Sequence, residues 1–90
     1  MARLLKPDEI HQQLGALRDW QWDGNALHQD VEAPTFPIAI QIVDEIAGVA
    51  EQMDHHPDIT IRWKRLTFAL STHSAGGVTQ LDIELAHRIN

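Results

Sequence analysis

The second half of the chain contains a run from Ile59 to Ser71 that reads Ile-Thr-Ile-Arg-Trp-Lys-Arg-Leu-Thr-Phe-Ala-Leu-Ser. Apolar and polar side chains alternate in two blocks, and this period of two is typical of strands that bury one face. The alternation changes phase near Lys64-Arg65, where we expect the chain to turn. The run therefore predicts a β-hairpin. Pro57, just before it, marks the end of any preceding helix.

The segment before Pro57 has the period of a helix. Between Thr35 and Met53, apolar residues recur at steps of four, four, three and four. They line one helical face: Ile38, Ile42, Ile46, Val49 and Met53. Thr35 suits the N-cap position, and Pro37 is tolerated because it lies in the first turn.

The remaining segments complete the element order. Pro7 to Leu17 predicts a first helix with an apolar stripe, and Thr79 to Ile89 predicts a last helix. Trp20–Trp22 and Ala26–Ala33 flank the turn-forming sequence Asp23-Gly24-Asn25, which predicts a first hairpin. The order is α-β-β-α-β-β-α. We expect an α+β fold, in which a four-stranded antiparallel sheet carries helices packed on one face.

Composition limits the classes of function. The 90 residues fit a single domain over 1–90, with a net charge of −6 that disfavours nucleic acids and anionic membranes as partners. The absence of Cys excludes a disulfide scaffold, a thiolate zinc site and a cysteine nucleophile. No run of apolar residues is long enough to span a membrane, and the first residues are too charged for a signal peptide. We expect a cytoplasmic protein.

Three histidines stand out as candidates for chemistry. His55 and His56 are adjacent at the end of the long predicted helix, and His73 follows the last predicted strand. Three converging imidazoles would both donate and accept protons near neutral pH. Taken singly, each is more often structural. The sequence has no His-Glu-x-x-His or His-x-His spacing, and adjacent histidines rarely bind one ion, so we expect no metal.

Two acidic residues admit both a structural and a functional interpretation. Glu51 lies four residues before His55 and would share its helical face if the helix reached that far. Asp82 follows Thr79 by three residues, which is the spacing of a capping box. For Asp82, helix capping is at least as well supported as catalysis.

The spacing of these residues resembles the pterin-4a-carbinolamine dehydratase family. The matching pattern is acid-x3-His-His-Pro-x5-aromatic-x9-His-x8-Asp. It is met by Glu51, His55, His56, Pro57, Trp63, His73 and Asp82. Seven positions within one stretch make the resemblance specific, and the element order also suits the family.

The resemblance implies a reaction and a set of roles. Water would leave a 4a-hydroxy-tetrahydropterin to give quinonoid dihydropterin, a step that recycles the pterin cofactor of aromatic amino-acid hydroxylation and needs neither a metal nor a cofactor. His55 and His73 would be the acids and bases, and His56 would chiefly hold the substrate, with some capacity for proton transfer. Asp82 would complete the catalytic set by orienting or charge-stabilising His73.

The resemblance also implies supporting residues and partners. Glu51 and Pro57 would support the site geometry, and Trp63 would bind substrate or support the site. The partners would be a small pterin substrate and further copies of the chain, in a homodimer or homotetramer.

An alternative is a non-catalytic binding or assembly protein on the same fold. Such proteins tend to lose the motif histidines. This sequence keeps His55, His56 and His73, which favours the enzyme.

Overall fold

The computed structural model describes residues 2–90 and contains the seven main elements expected from the sequence, in the expected order. The helices are α1 (Pro7–Leu14), α2 (Phe36–Met53) and α3 (Gln80–Ile89). The strands are β1 (Gln21–Trp22), β2 (Leu27–Glu32), β3 (Asp58–Arg62) and β4 (Arg65–Leu70). The α+β prediction is confirmed. Among residues 2–90, no helix is both long and apolar enough to cross a membrane.

The four strands form one antiparallel sheet in the order β1-β2-β4-β3. The longest pairing joins β2 to β4, from Leu27 opposite Leu70 to Glu32 opposite Arg65. Strand β3 pairs with β4 and lies at the edge of the sheet. The hairpin β3–β4 therefore places its own turn at one end of the sheet and the start of β3 at the other.

The two faces of the sheet differ in polarity. On the covered face of β4, Leu66, Phe68 and Leu70 are fully buried in the same core as residues of α2 and α3. On the other face, Asp30 accepts hydrogen bonds from Arg65 at 2.7 Å and from the Thr67 hydroxyl at 2.9 Å. One polar, solvated face and one apolar face agree with helices packed on a single side.

The helix ends agree with the sequence except in α1. Thr35 caps α2, because its hydroxyl oxygen accepts a hydrogen bond from the Ile38 N–H at 3.3 Å. Helix α1 stops at Leu14, three residues before the predicted end at Leu17. Gly15, a poor helix former, follows directly, and the chain turns there. Leu17 is nevertheless fully buried, so its core role is retained outside the helix.

The turn of the second hairpin lies one residue earlier than predicted. Its loop is Trp63-Lys64, between paired Arg62 and Arg65. Trp63 has a φ of +52°, an uncommon conformation for a bulky residue. The Ala33 N–H donates to the Lys64 carbonyl at 2.9 Å and ties the loop to the chain entering α2.

Substitution by alanine should have opposite effects on stability at two of the glycines. Gly48 lies within α2, and an added Cβ would meet nothing within 4 Å. Gly48→Ala should therefore raise the free energy of unfolding by about 0.5–1 kcal/mol. Gly76 has a φ of +80°. Gly76→Ala should lower that free energy by about 1–2 kcal/mol. Urea unfolding at one protein concentration measures both, and effects of equal sign would contradict the prediction.

The first hairpin turn has a strongly acidic carboxylate. Asp23 accepts from the N–H groups of Asn25 and Ala26, each at 2.8 Å, and its other oxygen lies 2.6 Å from His28 Nε2. These contacts, led by the Ala26 N–H, lower the pKa of Asp23 from 3.8 to about 2. The carboxylate therefore stabilises the fold above pH 3.8, and this contribution is lost as the pH falls through about 2.

Asp23→Asn should accordingly be less stable than the wild type at pH 5, and the gap should narrow as the pH falls from about 4 to about 2. Urea unfolding at unit pH steps measures the difference. A gap that stayed constant over this range would show that the carboxylate charge contributes nothing.

Candidate active site

The backbone of His55 is fixed by the end of α2. The helix stops at Met53, and Asp54 adopts the left-handed conformation with a φ of +49°. The His55 N–H donates back to the Ala50 carbonyl at 3.1 Å. This hydrogen bond satisfies one of the terminal carbonyls of the helix and holds His55 against its last turn.

The side chain of His55 is paired with a buried acid. Its Nε2 lies 2.5 Å from Oδ1 of Asp82, which is 27 residues later in the chain and in the first turn of α3. The His55 side chain is 10% exposed and that of Asp82 is 0% exposed. Because a carboxylate only accepts hydrogen bonds, the pair places the imidazole proton on Nε2 and leaves Nδ1 for another partner.

The other oxygen of Asp82 holds the start of α3. Oδ2 accepts from the Thr79 N–H at 2.8 Å and from the Thr72 hydroxyl at 2.8 Å. The contact with Thr79 completes the capping box that the spacing predicts. Capping and contact with a histidine, which the sequence presents as alternatives, are thus both performed by this carboxylate.

The second histidine has a different acidic partner. His56 Nε2 lies 2.5 Å from Oε2 of Glu51, and both side chains are largely exposed. The condition for Glu51 to share a helical face with His55, that the helix reach His55, is not met. Helix α2 ends before His55 and the chain reverses at Asp54, so it is His56 that meets the carboxylate.

The third histidine directly follows Thr72, the residue whose hydroxyl contacts Asp82. His73 begins a short 3-10 turn (His73–Ala75) directly after Thr72, and its side chain is exposed. The expectation that Asp82 would orient His73 is not met. Both oxygens of Asp82 are taken, one by His55 and the other by Thr72 and Thr79.

Sheet register brings the three histidines to one end of the sheet. Asp58, which opens β3 after His56-Pro57, pairs with Ala69 near the end of β4, and His73 follows that strand. Pro57 thus joins the histidine pair to the edge strand.

Trp63 lies at the opposite end of the same hairpin. The strand rises about 13 Å from Asp58 to Arg62. Trp63 is 71% exposed, and the Lys64 ammonium lies 4.6 Å from the centroid of its ring. Within one chain the structure does not bring this side chain to the histidines.

A separate groove of about 540 Å³ lies between α2, β2 and the end of α3. Ile42, Ile46 and Phe68 contribute to its apolar wall, and none of the three motif histidines lines it. Within residues 2–90, no group of three or more His, Asp and Glu side chains is arranged to hold a metal ion. The groove is thus separate from the contacts of the motif histidines.

Thr72 lies within the stretch that resembles the family, but the sequence analysis gives it no role in the site. Leu66, Phe68 and Leu70 set the buried phase of β4, and Thr72 continues that phase past the end of the strand. It is 7% exposed. A hydroxyl in the apolar phase of a strand needs a buried partner, and this was the available signal.

The chain is similar to known proteins. A sequence model of the family "Pterin 4 alpha carbinolamine dehydratase" matches residues 3–90. A Nocardia farcinica protein named "Putative pterin-4-alpha-carbinolamine dehydratase" is 49% identical over 89 residues, covering 99% of this chain and 94% of the relative. A Roseiflexus castenholzii protein of the same name is 47% identical over 90 residues, covering 100% and 97%.

A solved structure is also similar. The crystal structure titled "transcriptional coactivator/pterin dehydratase" from Brucella melitensis superposes with a TM-score of 0.91 at 36% identity, covering 96% of this chain and 94% of that one. The match therefore extends from the sequence to the fold and over nearly the whole length of both. The chain belongs to the pterin-4-alpha-carbinolamine dehydratase family.

Proposed function

We propose that this protein dehydrates a 4a-hydroxy-tetrahydropterin to quinonoid dihydropterin by general acid–base catalysis. The observation that carries the proposal is the His55–Asp82 contact, in which a buried carboxylate holds a nearly buried imidazole in one tautomer. Two more imidazoles, His56 and His73, lie at the same end of the sheet. Membership of the family supplies the class of substrate.

The proposed reaction needs only proton transfers. The C4a–O bond breaks and its electron pair leaves with the hydroxyl oxygen, which takes a proton and departs as water. A ring nitrogen loses its proton, and that electron pair forms the new C=N bond. No net oxidation or reduction takes place, so an acid and a base suffice. Positioned side chains typically accelerate such steps about 10²–10⁴-fold.

The geometry suggests how the roles divide. His55 offers Nδ1 to the substrate, because Asp82 holds its Nε2. His73 is exposed and serves as the second acid or base. His56, paired with Glu51, holds the pterin ring through its remaining nitrogen. Asp82 acts through His55 and is a positioning residue.

The first test is stopped-flow absorbance. A pterin-dependent hydroxylase generates the 4a-hydroxy compound, and added protein should accelerate its conversion. His55→Ala should lower kcat by about 10²–10⁴-fold, because the positioned acid or base is lost. His87→Ala is the matched control: His87 is exposed on α3, and its removal should leave kcat unchanged.

Two outcomes would contradict the assignment. Near-complete activity in a double variant, His55→Ala with His73→Ala, would show that other groups carry the protons. No acceleration by the folded, unaltered protein would favour the alternative, a non-catalytic binding or assembly protein on this fold.

We further propose that copies of the chain associate through the end of the sheet that carries the β3–β4 turn. Large apolar side chains are exposed there: Phe36 is 47% exposed, Ile61 41% and Trp63 71%. The bond from Ala33 to Lys64 keeps this turn beside the start of α2. Strand β3 also presents an unpaired edge, which a second copy can cover.

The association is tested by sedimentation velocity. Trp63→Asn should shift the protein towards its monomer mass of 10.2 kDa, since it removes the most exposed apolar side chain. Asn tolerates a positive φ, so the turn is retained. Leu4→Asn is the control, because Leu4 is 49% exposed but pairs with Thr79 beyond the opposite end of β4. Equal masses for all three proteins would reject this interface.

A further inference from the structure

We propose that Thr72 is a positioning residue for His55 and acts through the carboxylate of Asp82. The part of this proposal that concerns catalysis rests on the function proposed above. The part that concerns the imidazole rests on hydrogen bonding alone. Thr72 is nearly buried, and its hydroxyl lies 2.8 Å from Oδ2 of Asp82, whose Oδ1 holds His55.

Counting donors gives the hydrogen-bond chain a single direction. A threonine hydroxyl has one proton to donate. The Thr72 proton goes to Asp82, because a carboxylate has none to give. The hydroxyl of Thr79, 2.7 Å from that of Thr72, must then donate to Thr72. Thr79 in turn accepts from the Leu81 N–H at 3.3 Å.

Both hydroxyls in this hydrogen-bond chain therefore donate in the direction of Asp82. The carboxylate takes three hydrogen bonds: the Thr79 N–H and the Thr72 hydroxyl on Oδ2, and His55 Nε2 on Oδ1. With one oxygen fixed by two donors, the plane of the carboxylate is set. The direction in which Oδ1 meets the imidazole is then set as well.

The backbone of Thr72 makes it suited to this task. Its N–H donates to the Gly77 carbonyl at 2.8 Å, and its carbonyl accepts from the N–H groups of Ala75 and Gly76, each at 3.0 Å. The loop is thus closed on Thr72 itself. Because its backbone is held in this way, the Thr72 hydroxyl has a fixed position. It fixes the Asp82 carboxylate, which in turn orients the imidazole of His55.

The test compares two variants of Thr72 with a matched control. Thr72→Val keeps the shape and removes the hydroxyl, whereas Thr72→Ser keeps the hydroxyl. Thr67→Val is the control, since the Thr67 hydroxyl donates to a different carboxylate, Asp30, at 2.9 Å. The first readout is the nitrogen-15 and proton NMR signal of the His55 imidazole, which reports the tautomer and the protection of Nε2–H from exchange.

We expect Thr72→Val to lose the protected Nε2–H signal and to populate both tautomers. Thr72→Ser and Thr67→Val should keep the wild-type signal. In the stopped-flow assay, Thr72→Val should lower kcat by about 10-fold with little change in KM, because the loss of one hydrogen bond to a carboxylate corresponds to about a tenfold change in rate. Thr72→Ser should keep kcat within about twofold of the wild type, because its hydroxyl supplies the same donor, whereas a role in packing alone would not require this.

The outcomes separate this proposal from the proposed function. A folded Thr72→Val with a wild-type His55 signal would overturn the role of Thr72, whatever the activity. An unaltered protein without dehydratase activity would overturn the function and leave the NMR comparison standing. If Thr72→Val does not fold, the proposal is tested on the unaltered protein by the exchange of the Thr72 hydroxyl proton. A Thr72 hydroxyl proton protected from exchange and close to His55 Nε2–H supports the proposal, and a rapidly exchanging one overturns it.

Discussion

The buried carboxylate of Asp82 is the contact on which the rest of the site depends. A charge with no exposure to solvent is costly unless donors surround it, and this one receives three. Those donors come from the chain that follows α2, from the loop after β4 and from the first residue before α3. One side chain thus joins three segments, and removing it would leave all three donors without their partner.

The sequence predicted the periodic parts of the fold well because their cause is local. In α2, which is 18 residues long, apolar residues recur at steps of three and four from Ile38 to Met53, and the N-cap Thr35 stands where expected. The ends of elements were harder to predict. The last turn of the predicted first helix competes with Gly15, and the hairpin loop Trp63-Lys64 contains neither Gly nor Asn to mark it.

The same limit applies to the site. The capping box joins residues three apart, so its spacing is visible in the sequence. The contact of Asp82 with His55 joins residues 27 apart and is decided by how α3 packs against the end of α2. Spacing alone paired Glu51 with His55, and the resemblance paired Asp82 with His73. Asp54, whose left-handed conformation turns the chain, has no strong signature in the sequence. Because of this turn, Glu51 contacts His56 and His55 is left to contact Asp82.

The double use of Asp82 has a consequence for comparing relatives. A descendant that abandoned catalysis would be free to replace its histidines, yet it would still need an acid at this position to begin α3. Although the acid at position 82 belongs to the family motif, its retention would then say nothing about activity. Loss of His55, which leaves the helix cap intact, would be the informative change.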